Sequence, residues 1–105
     1  MNLYLELEEN KHAFVYKSNG ESARRKFNLD SKDNDNERHN IIVPKHTATM
    51  TESFFRGLFI ESLKTLGAEK FKNKYQLVFL EENEKTKQIL IDESIYHLKY
   101  MILFL

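Results

Sequence analysis

One segment limits the fold more than any other. Between Ser53 and Leu66, the residues Phe55, Leu58, Phe59, Ser62, Leu63 and Leu66 recur at i, i+3, i+4, i+7, i+8 and i+11, which places them on one face of a helix. Thr51 or Ser53 can cap the exposed amides at its start, Glu52 suits the positive end of the dipole, and Gly67 ends it as a left-handed C-cap. Such a face has to be buried against something. The sequence on either side supplies strands.

Upstream, "NIIVP" sets three aliphatics, Ile41 to Val43, before the only proline. An unbroken apolar run suits a strand buried on both faces, and Pro44 cannot donate to a ladder, so the strand stops there. Downstream, "AEKFKNK" predicts a short helical turn with Phe71 inward, and "YQLVFL" predicts a second interior strand. Asn83 can cap a long C-terminal helix on which Ile91, Ile95, Leu98, Ile102 and Leu105 share a face, although "KQILI" also reads as a short strand.

The N-terminal part reads as β-rich. Leu3, Leu5 and Leu7 alternate with polar neighbours, the period of a half-buried strand. "EENK" is a turn, "HAFVYK" a second strand, and "SNG" at 18–20 a turn, because Asn and Gly tolerate positive φ. "ESARRKFNL" is compatible with a strand or a short helix, and the reading favours a strand. Residues 30–40, "DSKDNDNERHN", read as an exposed polar loop. Its acidic spacing from Asp33 fails as a calcium loop, since Arg38 and Pro44 stand where Gly and Glu are needed.

The result is one domain over residues 1–105. Its class is α/β, with α+β as the alternative: a small mixed sheet packed against helices. Residues 40–105 form a strand–helix–strand–helix core and residues 1–39 a β-rich extension. Thirteen aromatics without a tryptophan suffice to seed the core.

Composition narrows the function. With no cysteine, disulfides, thiolate nucleophiles and Cys-based metal sites are excluded. Charge is even, with eight Lys/Arg and eight Asp/Glu in residues 1–49 and the same again in residues 50–105, which disfavours nucleic acid as a partner. The sole basic triplet, Arg24, Arg25 and Lys26, is the basis of an alternative reading as a nucleic-acid or nucleotide-binding accessory protein. "MNLYLELEEN" lacks the basic start of a signal peptide, and no apolar run is long enough to cross a bilayer, so a cytoplasmic location is expected.

The motifs of catalysis are missing. There is no Gly-rich phosphate loop, and no G-x-S-x-G or H-E-x-x-H. The four histidines, His12, His39, His46 and His97, have no local ligand spacing, so no metal site or cofactor is expected. A hydrolase built on Ser53 and His46 has only their closeness in sequence behind it. Gly57 is a different kind of signal. Glycine inside a helix costs about 1 kcal/mol relative to alanine, which implies a close approach there by the chain's own backbone or by a partner.

The run "IIVP" followed by "TMTESFFRGLFIESLKTLGAEKFKNKYQLVFL" resembles the STAS-like bacterial domains, small α/β modules related to the anti-sigma-factor antagonists. The resemblance covers about residues 40 to 103, and T-x-S-F-x-x-G-L-F with "LGAEKFKNKY" carries it. In the antagonists the matching turn holds an Asp, a Ser phosphorylated by a partner kinase, and Ser-Gly. Thr51 falls on the Asp, Glu52 on the phospho-acceptor, Ser53 on the next serine and Phe54 on the glycine. The resemblance implies a non-enzymatic regulatory module that meets a protein partner, of the histidine-kinase-like ATPase type, through Thr51, Glu52, Ser53, Arg56 and Gly57. Any phosphate would fall on Ser53 or Thr51. The apolar ending "MILFL" either closes the core or joins a second copy as a homodimer.

Overall fold

A computed structural model describes residues Met1–Leu105. The elements run β1 (Asn2–Tyr4), β2 (Ala13–Phe14), α1 (Lys17–Phe27), α2 (Leu29–Lys32), β3 (His39–Val43), β4 (Thr49–Met50), α3 (Glu52–Lys74), β5 (Tyr75–Phe79) and α4 (Glu84–Leu103). β1, β3 and β5 form a three-stranded sheet in that order, and β2 and β4 form a second, two-stranded one. The class is α/β, and every ladder is parallel rather than mixed.

Each strand finds its partner at nearly the same distance along the chain. Leu3 sits beside Ile41, Phe14 beside Met50, and Ile41 beside Leu77. Residues 1–39 are therefore woven into the fold, with β1 as a full strand of the main sheet.

β3 takes the central position that its aliphatic run predicts. Ile41 and Val43 are wholly buried, and Ile42, on the other face, nearly so. β5 does not share that position. It is an edge strand with its last three residues half-buried, because α4 leaves the sheet plane instead of adding another strand.

α3 supplies most of the core. Phe54, Phe55, Leu58, Phe59 and Leu63 are buried, and the rings of Phe14, Phe54, Phe55, Phe59, Phe71 and Tyr75 touch in a continuous chain with centroids 4.9–6.2 Å apart. This replaces the missing tryptophan. Gly67 interrupts the helix with φ 77° and ψ 167°, after which residues 68–74 make a second short helix with Phe71 inward.

Three expectations for residues 18–40 are overturned. "SNG" is not a turn, and "ESARRKFNL" is not a strand: residues 18–27 belong to helix α1, which Asn28 closes in the left-handed region with its N–H on the Arg24 and Arg25 carbonyls, and Leu29 opens α2. α1 buries Gly20, Arg24 and Phe27, a face at i, i+4 and i+7 that carries one glycine and one cation, so an apolar count cannot detect it. The polar run after it is not a simple exposed loop. α2 occupies its start, and Asp33 is buried. α4 has the expected cap, with Asn83 accepting from the Thr86 N–H at 3.0 Å, but its buried face centres on Leu90, Ser94 and Met101.

Candidate functional site

The first turn of α3 divides into an inner and an outer half. Thr51 faces inward as the N-cap, where its hydroxyl accepts from the Phe54 N–H at 3.2 Å and donates to the Val15 carbonyl. Gly57 is inner too. A Cβ there would lie 2.1 Å from the Lys17 carbonyl and 2.8 Å from the Glu21 nitrogen, and one at Gly20 would meet Phe54 and Leu58 of α3 at the same distances. The close approach implied by Gly57 is thus made by α1, two glycines letting the backbones of α1 and α3 touch. Glu52, Ser53 and Arg56 form the outer half. Glu52 and Arg56 pair at 3.4 Å across one turn, and Ser53 is exposed with its hydroxyl unengaged.

Beside this turn opens a cleft of about 570 Å³. Leu5, Phe14, Phe27 and Phe54 give it an apolar floor, all of them buried core residues. Its rim carries the exposed Tyr4 and Tyr16 and the Glu6–Lys26 ion pair at 3.1 Å. One wall is the segment Tyr4 to Glu8, which leaves the end of the edge strand β1, together with β2 and its flanking residues, and the facing wall is α1. Phe54 joins the cleft to the α3 turn. Sequence reading missed the cleft because its wall α1 was assigned to a strand.

A buried polar network lies behind the α1–α3 crossing. Arg24 donates to Asp33 Oδ2 at 2.7 Å, to Asp30 Oδ1 at 2.7 Å, to Ser62 Oγ at 2.7 Å and to the Leu58 carbonyl at 3.0 Å. Asp33 Oδ1 also accepts from Ser62 at 2.7 Å and from the Tyr75 hydroxyl at 2.6 Å. Burial opposes the charge on Arg24, but the bonds and charges of Asp33 and Asp30 outweigh it and hold its pKa above the ordinary value. Burial and then the Asp33 carboxylate push the Tyr75 hydroxyl far above the usual tyrosine range. The network has no solvent-facing nucleophile: Ser62 is wholly buried. Its single trace in the sequence is Ser62 itself, a hydroxyl in the middle of an apolar helix face.

Arg24 is therefore no part of a surface patch. Lys26 is paired with Glu6, and Arg25 donates to Ser22 at 3.2 Å, so the basic triplet does not present three free cations.

Asp35, Glu37 and His39 bring ligand atoms within 4.8 Å of one another. A cation already sits there: the Lys74 ammonium lies 2.6 Å from Asp35 Oδ1, 2.6 Å from the Asp35 carbonyl and 3.1 Å from that of Glu37. The Lys74 contact is the main reason that the Asp35 carboxyl stays well below the usual carboxylate range, with the Glu37 N–H and His39 adding to it. His39 donates from Nε2 to Asp35 at 2.9 Å. His46 is tied through its backbone to His12 and Glu81, and none of its hydrogen bonds reaches Ser53. No helix is long and apolar enough to cross a membrane. No protein-family model, curated protein or solved structure matches the chain.

Proposed function

We propose that this chain is a non-enzymatic protein-interaction module that takes an extended segment of a partner protein in the cleft that α1 forms with β2 and the segment leaving β1. The observation that carries the reading is the cleft itself: an apolar floor beneath a polar, aromatic rim, entered by the end of an edge strand, β1. An extended peptide gains main-chain hydrogen bonds from such an edge and places alternate side chains in the groove. Glu52, Ser53 and Arg56, around Phe54, extend the contact surface onto the first turn of α3. The resemblance to STAS-like domains supports a histidine-kinase-like ATPase as the partner. It also supports Ser53 as the phospho-acceptor of this turn, since the Thr51 hydroxyl is engaged on both sides.

Selection from a display library of random extended peptides tests the cleft. Enriched peptides should bind the wild-type chain and lose at least about tenfold in affinity to Ser22→Trp, which projects a ring from α1 into the cleft without touching the core. A library that enriches nothing, or peptides that bind Ser22→Trp equally well, would sink the reading.

A further inference from the structure

α4 is apolar on two sides. One side, through Leu90, Ser94 and Met101, is buried against the body of the protein. On the other, Ile89, Tyr96 and Leu103 recur every seven residues, with Tyr100 and Phe104 beside them. These five are 54%, 65%, 77%, 41% and 67% exposed. Tyr96, Tyr100 and the C-cap Phe104 follow one another with ring centroids 6.4 and 4.6 Å apart, so the rings already form one continuous surface. A seven-residue recurrence is the spacing of a helix–helix seam, and nothing in this chain covers it.

We infer that this face of α4 is an isologous interface with a second copy of the chain, the two α4 helices packing antiparallel about a two-fold axis at Tyr96. Area and charge select this occupant. At about 200 Å² for a full ring, and somewhat less for Ile and Leu, the five side chains leave on the order of 600 Å² of apolar surface in water. Homodimer interfaces are about 65% apolar, so such a patch corresponds to roughly 900 Å² per copy, the size of a stable interface.

The charges fit the same axis. A two-fold at Tyr96 sets Ile89 of one copy against Leu103 of the other and Tyr96 against itself. In an antiparallel pair each flank of the seam meets the same flank of its partner. Asp92 and Lys99 lie on one flank, on either side of Tyr96, so Asp92 of each copy faces Lys99 of the other, two pairs in all. A parallel pair would set this flank against the opposite one, which carries Glu93 and Tyr100 and no lysine. The seam shares no residue with the cleft, so dimerisation and peptide binding are separable.

Sedimentation equilibrium and oxidative cross-linking of the full chain test the arrangement. The wild type is expected to be dimeric at tens of micromolar, and Tyr96→Lys, which sets two cations on the axis, should weaken dimerisation roughly 30-fold or more. Asp92→Lys and Lys99→Asp should each weaken it, and the double exchange should restore it. The chain has no cysteine of its own, so single introduced cysteines report directly. Tyr96→Cys should form a disulfide-linked dimer. Ile89→Cys should not, because two antiparallel copies set those positions about 21 Å apart along the axis. A monomeric mass at tens of micromolar, or cross-linking of Ile89→Cys as readily as Tyr96→Cys, would overturn the proposal.

Discussion

Two glycines of α3 illustrate how differently one residue type can be used. Gly57 has an ordinary helical backbone, and what it lacks is room: the Lys17 carbonyl occupies the place of a Cβ. Gly67 has open space around it but a backbone at φ 77° and ψ 167°, a region essentially closed to other residues. Gly57→Ala should cost about 3 kcal/mol or more, because two backbones must separate. Gly67→Ala should cost about 1–3 kcal/mol through strain alone. Urea denaturation of both variants checks this, and a near-neutral Gly57→Ala would mean that α1 and α3 are not in contact there. Sequence made both glycines conspicuous, since each interrupts or ends an apolar period. It could not say whether Gly57 served this chain or a partner, because that depends on where Gly20 lies in space.

At the scale of elements, the Arg24–Asp33–Ser62–Tyr75 network fastens α1, the turn after α2, α3 and β5 to one another. Its balance depends on both charges being present. Arg24→Ala would leave Asp33 buried without its counter-ion, which typically costs about 3–5 kcal/mol. A loss of that size in thermal or urea unfolding is expected, and a change within about 0.5 kcal/mol, the usual range for a surface residue, would show that Arg24 is not buried. The network also explains where sequence reading stopped. α3 and α4 announce themselves by apolar period and β3 by an unbroken aliphatic run, and all three elements are found where those signals put them, although α4 buries a neighbouring face. α1 does not, because its inward face is Gly20, Arg24 and Phe27, and a buried arginine counts as polar until Asp33 is known to face it. β5 looked interior from its composition, but edge or centre is decided by which strand is laid down next, and α4 follows instead of a strand. The cleft went unseen for the same reason as α1, whereas Glu52 and Ser53 of the α3 turn are marked by the helix start, and Arg56 enters only through the family resemblance.

For the molecule as a whole, acid is the informative stress. Asp35 is held below the ordinary carboxylate value, so the unfolded chain binds its proton more readily than the folded one. Its contribution is complete above the unfolded value of 3.8 and is lost as pH falls from there toward the lower folded value. Stability should therefore decline below about pH 4, and Asp35→Asn should flatten that part of the curve while lowering stability at neutral pH. Melting temperatures across an acid series measure both effects, and an unchanged slope in Asp35→Asn would place the acid sensitivity elsewhere.

The near-constant spacing between strand partners has a consequence for how the chain is made. Leu3 waits for Ile41, Phe14 for Met50 and Gly20 for Gly57, and no ladder joins neighbours in sequence. Nothing resembling a hairpin can form early and be kept while synthesis proceeds, because each loop must close over a long stretch first. On a ribosome, the opening third stays open until β3 and the start of α3 have emerged. Both halves of the α1–α3 crossing then become available together, and the arginine, whose carboxylates lie only six and nine residues on, gains its cover in that step.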